Sequence, residues 1–154
     1  MKTIFKYDIN LGLLSIVEED NKIVRVTLSD INDVTIRNEE TALIRQTYSE
    51  IMEYLQGKRK TFDIPLQLHG TEFQLKVWEE LKNIPYGETI SYKELARRVG
   101  SPKGCRAVGQ ANNKNPIPII IPCHRVIGEK GKLVGYNGGV EIKQFLLELE
   151  HSMV

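Results

Sequence analysis

Cys123 and His124 are the residues of this chain best suited to nucleophilic chemistry. A cysteine reacts as its thiolate, and a neighbouring imidazolium or guanidinium favours that form. His124 and Arg125 follow Cys123 directly, and prolines at positions 116, 118 and 122 stiffen the apolar segment before it. Cys123 is therefore either a nucleophile on a rigid support or a small core cysteine beside a satisfied surface histidine, and these residues alone leave both interpretations open.

The chain has only one other cysteine, Cys105, which lies beside Arg106. Two cysteines are too few for a disulfide framework in a chain of 154 residues that can build its own core. Basic neighbours favour a thiolate at Cys105 as well, but no other group suited to catalysis accompanies it. We interpret Cys105 as incidental.

The charges are unevenly distributed although the formal net charge is only +1. Residues 1–68 contain nine basic and eleven acidic side chains, whereas residues 69–154 contain twelve and nine. Within positions 93–132 there are nine basic side chains and two acidic ones. Such a cluster is either a solvated basic face or a site that displaces counterions from a polyanion. The charge pattern alone leaves both interpretations open.

The first half of the chain predicts a small antiparallel sheet followed by a helix. Apolar residues alternate with polar ones from Ile4 to Leu28, and two short polar segments supply the turns. Apolar spacings of three and four then predict a helix from about residue 39 to residue 55, which Gly57 closes. A linker near residues 58–69 predicts two domains, 1–68 and 69–154, in an α+β protein.

The second half predicts a mostly helical domain. Capping-box spacings at Thr71 and Ser91 open two helices, and Ser101-Pro102 reads as the start of a third. The last two of these are short and separated by a glycine-containing turn, which is the outline of a helix-turn-helix. Its coincidence with the basic cluster favours nucleic acid as the partner. A final helix is predicted from about Val140, with these residues on its apolar face: Ile142, Phe145, Leu146 and Leu149.

No part of the sequence predicts a membrane span or a secretory signal. The longest apolar stretch, 117–121, is interrupted by Pro118 and is far shorter than the roughly 20 residues that a span needs. The first eight residues place charges among the apolar ones and lack the continuous apolar core of a signal peptide. We expect a cytoplasmic protein with no membrane partner.

The residues around Cys123 resemble a known family of DNA repair proteins. The heptad Ile-Pro-Cys-His-Arg-Val-Ile at 121–127 matches, residue for residue, the active-site signature of the O6-alkylguanine-DNA alkyltransferases. Segments 84–96, 106–109 and 135–139 match this family as well, so the resemblance covers nearly all of residues 71–150. It implies a ribonuclease H-like first domain and a winged helix-turn-helix-like second domain.

The resemblance also implies a mechanism. Cys123 would take the alkyl group from O6-alkylguanine, and possible substrates include O4-alkylthymine. His124 would act as the base through a water, Glu150 would hold the imidazole tautomer, and Asn115 would organise the hydrogen bonds. Tyr92 would crowd the 3′ phosphate and donate a proton to N3 of the leaving guanine. Transfer would occur once per molecule, irreversibly and without a cofactor, because a thioether lies outside thiol–disulfide exchange.

The resemblance implies that double-stranded DNA containing O6-alkylguanine is the partner of a monomeric protein. The target base must leave the duplex to reach a thiolate. Arg106 would fill the vacated stack, and Arg125 would add a basic contact. Three small residues on the recognition helix would permit close approach in the minor groove, namely Ala107, Gly109 and Ala111.

The flipped base would enter a pocket lined by Tyr136, Asn137, Val126 and Gly138. Asn137 stands where many members of the family have serine, which changes the donor available to O6. Some members bind a structural zinc in the first domain, but residues 1–68 contain neither cysteine nor histidine, so we predict no metal.

Two other functions remain as alternatives. A non-enzymatic helix-turn-helix protein that only binds the lesion would explain the basic cluster, although such relatives replace the cysteine. A hydrolase or acyl-transferase of the Cys-His-Glu type would explain the reactive residues but not the recognition helix.

Overall fold

The computed structural model describes residues 1–136 and 138–154, and they separate into two units, Met1–Leu68 and His69–Val154. Both sheet and helix are present, in agreement with the predicted α+β class. Among the described residues, no helix has both the length and the apolar character needed to cross a membrane.

The first unit is built on a four-stranded sheet. Strands β1 (Lys2–Ile9), β2 (Gly12–Glu19) and β3 (Lys22–Thr27) form an antiparallel meander. The turn between β2 and β3 contains Asp20 and Asn21 at φ 53° and 63°, the conformation that a two-residue type I′ hairpin requires. The sequence did not predict β4 (Arg37–Asn38), which pairs in parallel with β1 and gives the order β3-β2-β1-β4.

Helix α1 (Ala42–Leu55) covers one face of this sheet. Thr41 caps it by accepting a hydrogen bond from the Ile44 amide at 3.1 Å. The helix begins three residues later than predicted because the Glu39 amide donates to the carbonyl of Ile4, which keeps the preceding chain extended beside β1. Its buried side chains include Ile44, Ile51 and Tyr54, which complete the core of the unit.

The second unit begins with two capped helices. In α2 (Glu72–Leu81), Thr71 and Gln74 form the predicted capping box, each side chain bonding the backbone of the other residue. Helix α3 (Tyr92–Arg98) begins after Ser91, whose hydroxyl accepts from the Glu94 amide. The Glu94 carboxylate does not complete a second box because it pairs with Arg97 and Arg98.

Helix α4 (Cys105–Asn113) follows α3 and begins four residues after the predicted cap. Ser101 to Gly104 form a turn instead, closed by a hydrogen bond of 2.8 Å from the Gly104 amide to the Ser101 carbonyl. A Cβ at Gly104 would lie 2.5 Å from Ser101 Oγ, so only glycine fits this turn without a shift. The prediction of Ser101-Pro102 as a helix start was therefore wrong, while the helix-turn-helix outline is present.

The remaining elements bring the end of the chain to residues around Cys123. Strand β5 (Ile90–Ser91) pairs in parallel with β6 (Val126–Ile127), which places the start of α3 beside the segment that follows Cys123. Helix α5 (Val140–Ser152) buries Leu146 of the predicted apolar face, together with Lys143 and Glu150, which were not predicted to be on it. Phe145, predicted to be on the buried face, is 41% exposed.

Candidate active site

The loop before Cys123 is held in a strained conformation by Asn115. The Asn115 side chain donates from Nδ2 to the Ile121 carbonyl at 2.8 Å, and its Oδ1 accepts from the backbone N–H of Ile117 at 3.0 Å. Between these bonds, Ile119 is buried at φ 74°, a left-handed conformation that a β-branched residue rarely adopts. Strain of this kind costs about 1–3 kcal/mol and persists where surrounding contacts impose it. These bonds fix the path of the loop that leads to Cys123, and its rigidity remains a prediction from the prolines.

Cys123 begins a short 3-10 helix, Cys123–Arg125, and is only 2% exposed. Its carbonyl accepts a hydrogen bond of 3.2 Å from the side-chain Nδ2 of Asn112 in α4. Burial raises the pKa of the Cys123 thiol to about 11, against smaller lowering effects of the Asn115 side chain and the Lys143 charge. The thiol is therefore protonated at neutral pH, and reaction requires a base that removes its proton.

His124 and Glu150, predicted to supply that base and its orientation, lie in direct contact. His124 Nε2 lies 2.7 Å from Glu150 Oε2, and both side chains are buried. Burial lowers the pKa of His124, although the hydrogen bond and charge of Glu150 oppose this effect. A neutral imidazole that donates from Nε2 to the carboxylate has its lone pair on Nδ1. That nitrogen is then the proton acceptor.

Arg125 is not on the surface, contrary to its predicted contact with DNA. Its guanidinium is buried and makes a bidentate pair with Glu150, with Nε at 2.8 Å from Oε1 and Nη2 at 2.9 Å from Oε2. Nη1 donates to the Ile84 carbonyl at 2.7 Å. The Gly87 amide donates to Glu150 Oε1 at 3.3 Å. We reassign Arg125 as the residue that pairs with Glu150 and holds it in place.

Tyr92 faces the active site from the first turn of α3. Its hydroxyl donates to the Val134 carbonyl at 2.9 Å. Burial raises the pKa of Tyr92, and the charge of a Cys123 thiolate acts in the same direction. The phenol is consequently a neutral donor at physiological pH and lies within the electrostatic reach of Cys123.

Three of the four predicted pocket residues are described. Val126 is fully buried in β6, and Tyr136 is 9% exposed with its pKa raised well above the usual range by burial. The Tyr136 hydroxyl has no hydrogen-bond partner among residues 1–136 and 138–154. A Cβ at Gly138 would lie 3.1 Å from the Tyr136 ring, so glycine allows the ring its position. Asn137 lies outside the described residues.

The predicted recognition helix α4 presents part of its predicted surface. Arg106 and Ala107 are exposed, and Gly109 is half-buried. Ala111, also predicted to contact DNA, is 3% exposed, and its carbonyl accepts a hydrogen bond of 2.8 Å from Trp78 Nε1. Ala111 therefore packs in the core of the unit, because the helix turns it towards α2.

The basic cluster consists partly of paired and partly of exposed side chains. Arg97 and Arg98 pair with Glu94, and Arg125 is buried with Glu150. Arg97 and Arg98 are nevertheless exposed, and so are these further cations of the cluster: Lys93, Lys103, Arg106, Lys114, Lys130 and Lys132. They give the surface around α4 the positive charge suited to a phosphate backbone. Across the part of the chain that the structure describes, His, Cys, Asp and Glu form no group of three suited to a metal ion.

Sequence reasoning missed Asn112 and Lys143, two buried polar residues close to Cys123 and Tyr92. Asn112 donates to the Cys123 carbonyl, and Lys143 Nζ lies 3.4 Å from the Tyr92 hydroxyl. A signal for Lys143 was available, because Leu146 and Glu150 follow it at spacings of three and seven on one helix face. A lysine aligned with a predicted active-site carboxylate is a candidate for burial in the same site.

Comparison with known proteins gives matches across both units. The profile described as "6-O-methylguanine DNA methyltransferase, ribonuclease-like domain" matches residues 5–68, and its "DNA binding domain" counterpart matches residues 72–152. The constitutive methylated-DNA–protein-cysteine methyltransferase of Bacillus subtilis is 49% identical over 148 residues, covering 91% of this chain and 90% of the relative. The methyltransferase of Methanosarcina acetivorans is 53% identical over 123 residues, covering 80% and 78%.

Solved structures show the same fold. The crystal structure of Mycobacterium tuberculosis O6-methylguanine methyltransferase has a TM-score of 0.91 and 39% identity, covering 100% of this chain and 95% of that chain. The M. tuberculosis OGT structure in complex with DNA has a TM-score of 0.92 and 40% identity, covering 99% and 94%. On these matches over both units, the chain belongs to the 6-O-methylguanine DNA methyltransferase family.

Proposed function

We propose that this protein repairs DNA by moving the alkyl group of O6-alkylguanine onto Cys123 Sγ. The observation that carries the proposal is a buried thiol followed directly by a histidine whose Nε2 is held by Glu150 at 2.7 Å. The names of the relatives and the DNA in the M. tuberculosis structure support this reaction and this substrate. The exposed cations around α4 support DNA as the partner.

The reaction consists of one displacement with two proton transfers. The Cys123 proton passes through a water to His124 Nδ1, and Glu150 stabilises the imidazolium that forms. Sγ then attacks the alkyl carbon, the bond from that carbon to O6 breaks, and the electron pair remains on the guanine. Tyr92 donates its proton to N3 of the leaving guanine. General acid and base steps of this kind contribute about 10²–10⁴-fold each.

The product explains why each molecule acts once. The thioether on Cys123 has no free thiol, and thiol–disulfide exchange does not break a carbon–sulfur bond. No step in the displacement needs an electron carrier or a second group donor, so the proposal includes no cofactor and no metal.

Access to the alkyl group requires that the guanine leave the helix. Arg106 and Ala107 are exposed on α4, where the guanidinium can stack in the gap and a small side chain lets the backbone approach the groove. Gly109 also leaves space, since a Cβ there would meet nothing closer than the Tyr92 ring at 3.8 Å. We propose minor-groove binding with little sequence preference, as repair requires.

DNA binding and alkyl transfer are both assigned to residues 69–154, which contain α4 and Cys123. Residues 1–68 are proposed as a separate sheet-and-helix domain. We place the protein in the cytoplasm as a monomer, because DNA is its substrate and a reducing compartment preserves a functional thiol.

The decisive experiment incubates the full chain with a duplex containing O6-methylguanine and analyses the protein by peptide mass spectrometry. We expect the mass of one methylene on the peptide containing Cys123, with none on the peptide containing Cys105. Cys123→Ser should remain unmodified while still binding the duplex, and Cys105→Ser should react like the wild type. A folded wild-type protein that binds the lesion without an adduct would instead support the binding-only alternative.

A second readout addresses the Cys-His-Glu hydrolase alternative. Activated esters are offered to the wild type and to Cys123→Ser, and duplex affinity is measured at two salt concentrations. Repeated ester turnover that depends on Cys123, without salt-dependent DNA binding, would overturn the proposal.

A further inference from the structure

Lys143 is a fully buried lysine in α5 that the displacement described above does not use. Burying an ammonium is costly unless nearby groups compensate. Lys143 Nζ donates to the Val134 carbonyl at 3.0 Å and lies 3.4 Å from the Tyr92 hydroxyl. It also lies 5.6 Å from the centre of the Tyr92 ring. The ammonium is therefore placed against the phenol by three separate contacts.

The Val134 carbonyl accepts from both side chains, which fixes their relative position. Tyr92 donates to it at 2.9 Å, and Lys143 donates to it at 3.0 Å. The Asn112 side chain lowers the pKa of Tyr92, against the raising effects of burial and Cys123. Lys143 Nζ is thus a donor beside the oxygen that would become a phenolate when Tyr92 gives up its proton.

We propose that Lys143 is a positioning residue that acts through Tyr92, holding the phenol in place and stabilising the phenolate formed when the leaving guanine is protonated. This inference rests on the proposed alkyl transfer and assigns the residue that supports its proton donor. It does not require Lys143 to touch the DNA or the alkyl group.

The proton balance follows the proposed displacement. The Tyr92 O–H bond breaks, its proton moves to N3 of guanine, and the bonding electrons remain on the phenolate oxygen. The adjacent Lys143 N–H then gives its proton to that oxygen, which restores the phenol and leaves a neutral amine. Solvent returns a proton to Lys143 after the DNA leaves. Burial lowers the pKa of Lys143 to about 8, against the raising effect of Cys123, so this donor is still mainly charged at neutral pH.

Several titratable groups surround this pair and contribute to any pH profile. Cys123, on the 3-10 helix, interacts electrostatically with Lys143, Tyr92 and Tyr136. The charge of Lys143 also contributes to lowering the pKa of His124. A variant at Lys143 must therefore be compared with the wild type in a way that isolates the contribution made through Tyr92.

A double-mutant cycle provides this isolation. We would measure single-turnover transfer from O6-methylguanine DNA for the wild type, Lys143→Met, Tyr92→Phe and the double variant. Lys143→Met should lower the rate tenfold or more, but the same change should cost less than threefold when Tyr92 is already Phe. Lys82→Met is the matched control. Lys82 is an exposed lysine at the C-terminal end of α2, and its one described salt bridge is with Glu79. It should react like the wild type.

The charge-conserving variant Lys143→Arg gives a second test. Arginine stays protonated at all accessible pH values, whereas Lys143 loses its proton as the pH rises through about 8. The ratio of the wild-type rate to the Lys143→Arg rate should therefore fall severalfold between pH 7 and about pH 9. Thermal unfolding of each variant identifies any that do not fold, and Lys143→Gln replaces Lys143→Met if that variant is unfolded.

The outcomes separate this inference from the proposed function. If the wild type transfers no alkyl group, the proposed function fails. If the wild type reacts but Lys143→Met reacts equally fast, Lys143 has no such role. If Lys143→Met lowers the transfer rate by the same factor with Tyr and with Phe at position 92, Lys143 acts independently of the phenol and the inference is wrong.

Discussion

His124 and Glu150 are joined by a hydrogen bond of 2.7 Å from Nε2 to Oε2, with both side chains removed from solvent. The same carboxylate also accepts two bonds from Arg125. Glu150 is thus paired with a guanidinium while it is bonded to an imidazole. With Nε2 donating to Glu150, Nδ1 is the nitrogen of His124 that can accept a proton.

Glu150→Gln should slow alkyl transfer strongly while retaining the shape of the side chain. A glutamine can donate to Nε2 through its amide, which favours the tautomer with the proton on Nδ1 and removes the base. We expect the single-turnover rate with O6-methylguanine DNA to fall about 10²–10⁴-fold. Glu148→Gln is the matched control, because Glu148 is exposed on the same helix. Equal rates for wild type and Glu150→Gln would contradict the assigned role of Glu150.

Arg125→Met should lower the stability of the fold, whereas Arg106→Ala should slow DNA repair without lowering stability. Removing Arg125 leaves the Glu150 carboxylate buried without its cation, so urea unfolding should show a loss of about 3–5 kcal/mol. Arg106 is exposed, and Arg106→Ala should change stability by no more than about 0.5 kcal/mol. The Arg106 variant should nevertheless transfer alkyl groups about tenfold more slowly or worse, because it cannot fill the vacated base stack.

Affinity for duplex DNA tests whether Arg125 contacts phosphate. At a temperature where Arg125→Met is folded, its non-specific DNA affinity and the salt dependence of that affinity should match the wild type. A reduced salt slope for Arg125→Met would mean that the guanidinium contacts phosphate, and its reassignment would be wrong.

Local signals in the sequence predicted most of the secondary structure. Thr71, with Gln74 three residues later, predicted the start of α2 because a capping box is made within one turn. The two-residue strand β4 was not predictable in this way, since it exists only through pairing with β1. Likewise, Ser-Pro locally favours a helix start at Ser101, but residues Ser101 to Gly104 form a turn and α4 begins only after it.

The assignment of Cys123 as nucleophile and His124 as base is a prediction from their adjacency in the sequence and from the family resemblance. Arg125 was misassigned because an arginine in a basic segment gives no indication of a partner 25 positions later, as Glu150 is. The burial of Lys143 is a similar long-range effect, in which α5 turns charged residues inward towards α3 and the 3-10 helix. Periodicity predicted an apolar face for α5, but the active site requires polar groups on the buried side.

The raised pKa of Cys123 predicts a specific loss of stability at alkaline pH. The folded protein holds this thiol at a pKa of about 11, above its ordinary value of 9.0. The neutral thiol contributes stability that is fully present below about pH 9 and is lost as the pH rises through 11, because the unfolded chain then gains from ionisation. Relative to Cys123→Ser, the wild type should lose about 1–3 kcal/mol between pH 8 and 11.

Urea unfolding at several pH values measures this difference. Lys143 gives a trend of opposite sign, since its folded pKa is lowered to about 8 and its stability contribution is lost as the pH falls from about 10.5 to 8. Lys143 is present in both proteins, so the comparison with Cys123→Ser reports the thiol together with its electrostatic interaction with Lys143. A constant difference between the two proteins from pH 8 to 11 would mean that the folded state does not disfavour the thiolate.

Tyr136→Phe should separate stability from repair at the base pocket. The Tyr136 hydroxyl is buried without a hydrogen-bond partner in the part of the chain that the structure describes, and an unsatisfied buried hydroxyl costs about 1–3 kcal/mol. Phenylalanine keeps the ring that packs against Gly138 and removes that cost, so the free energy of unfolding should be unchanged or higher. If the hydroxyl instead accepts or donates a bond to the flipped guanine, the variant should transfer alkyl groups severalfold more slowly despite its stability. A variant that is both less stable and equally active would show that the hydroxyl serves the fold and that the base does not contact it.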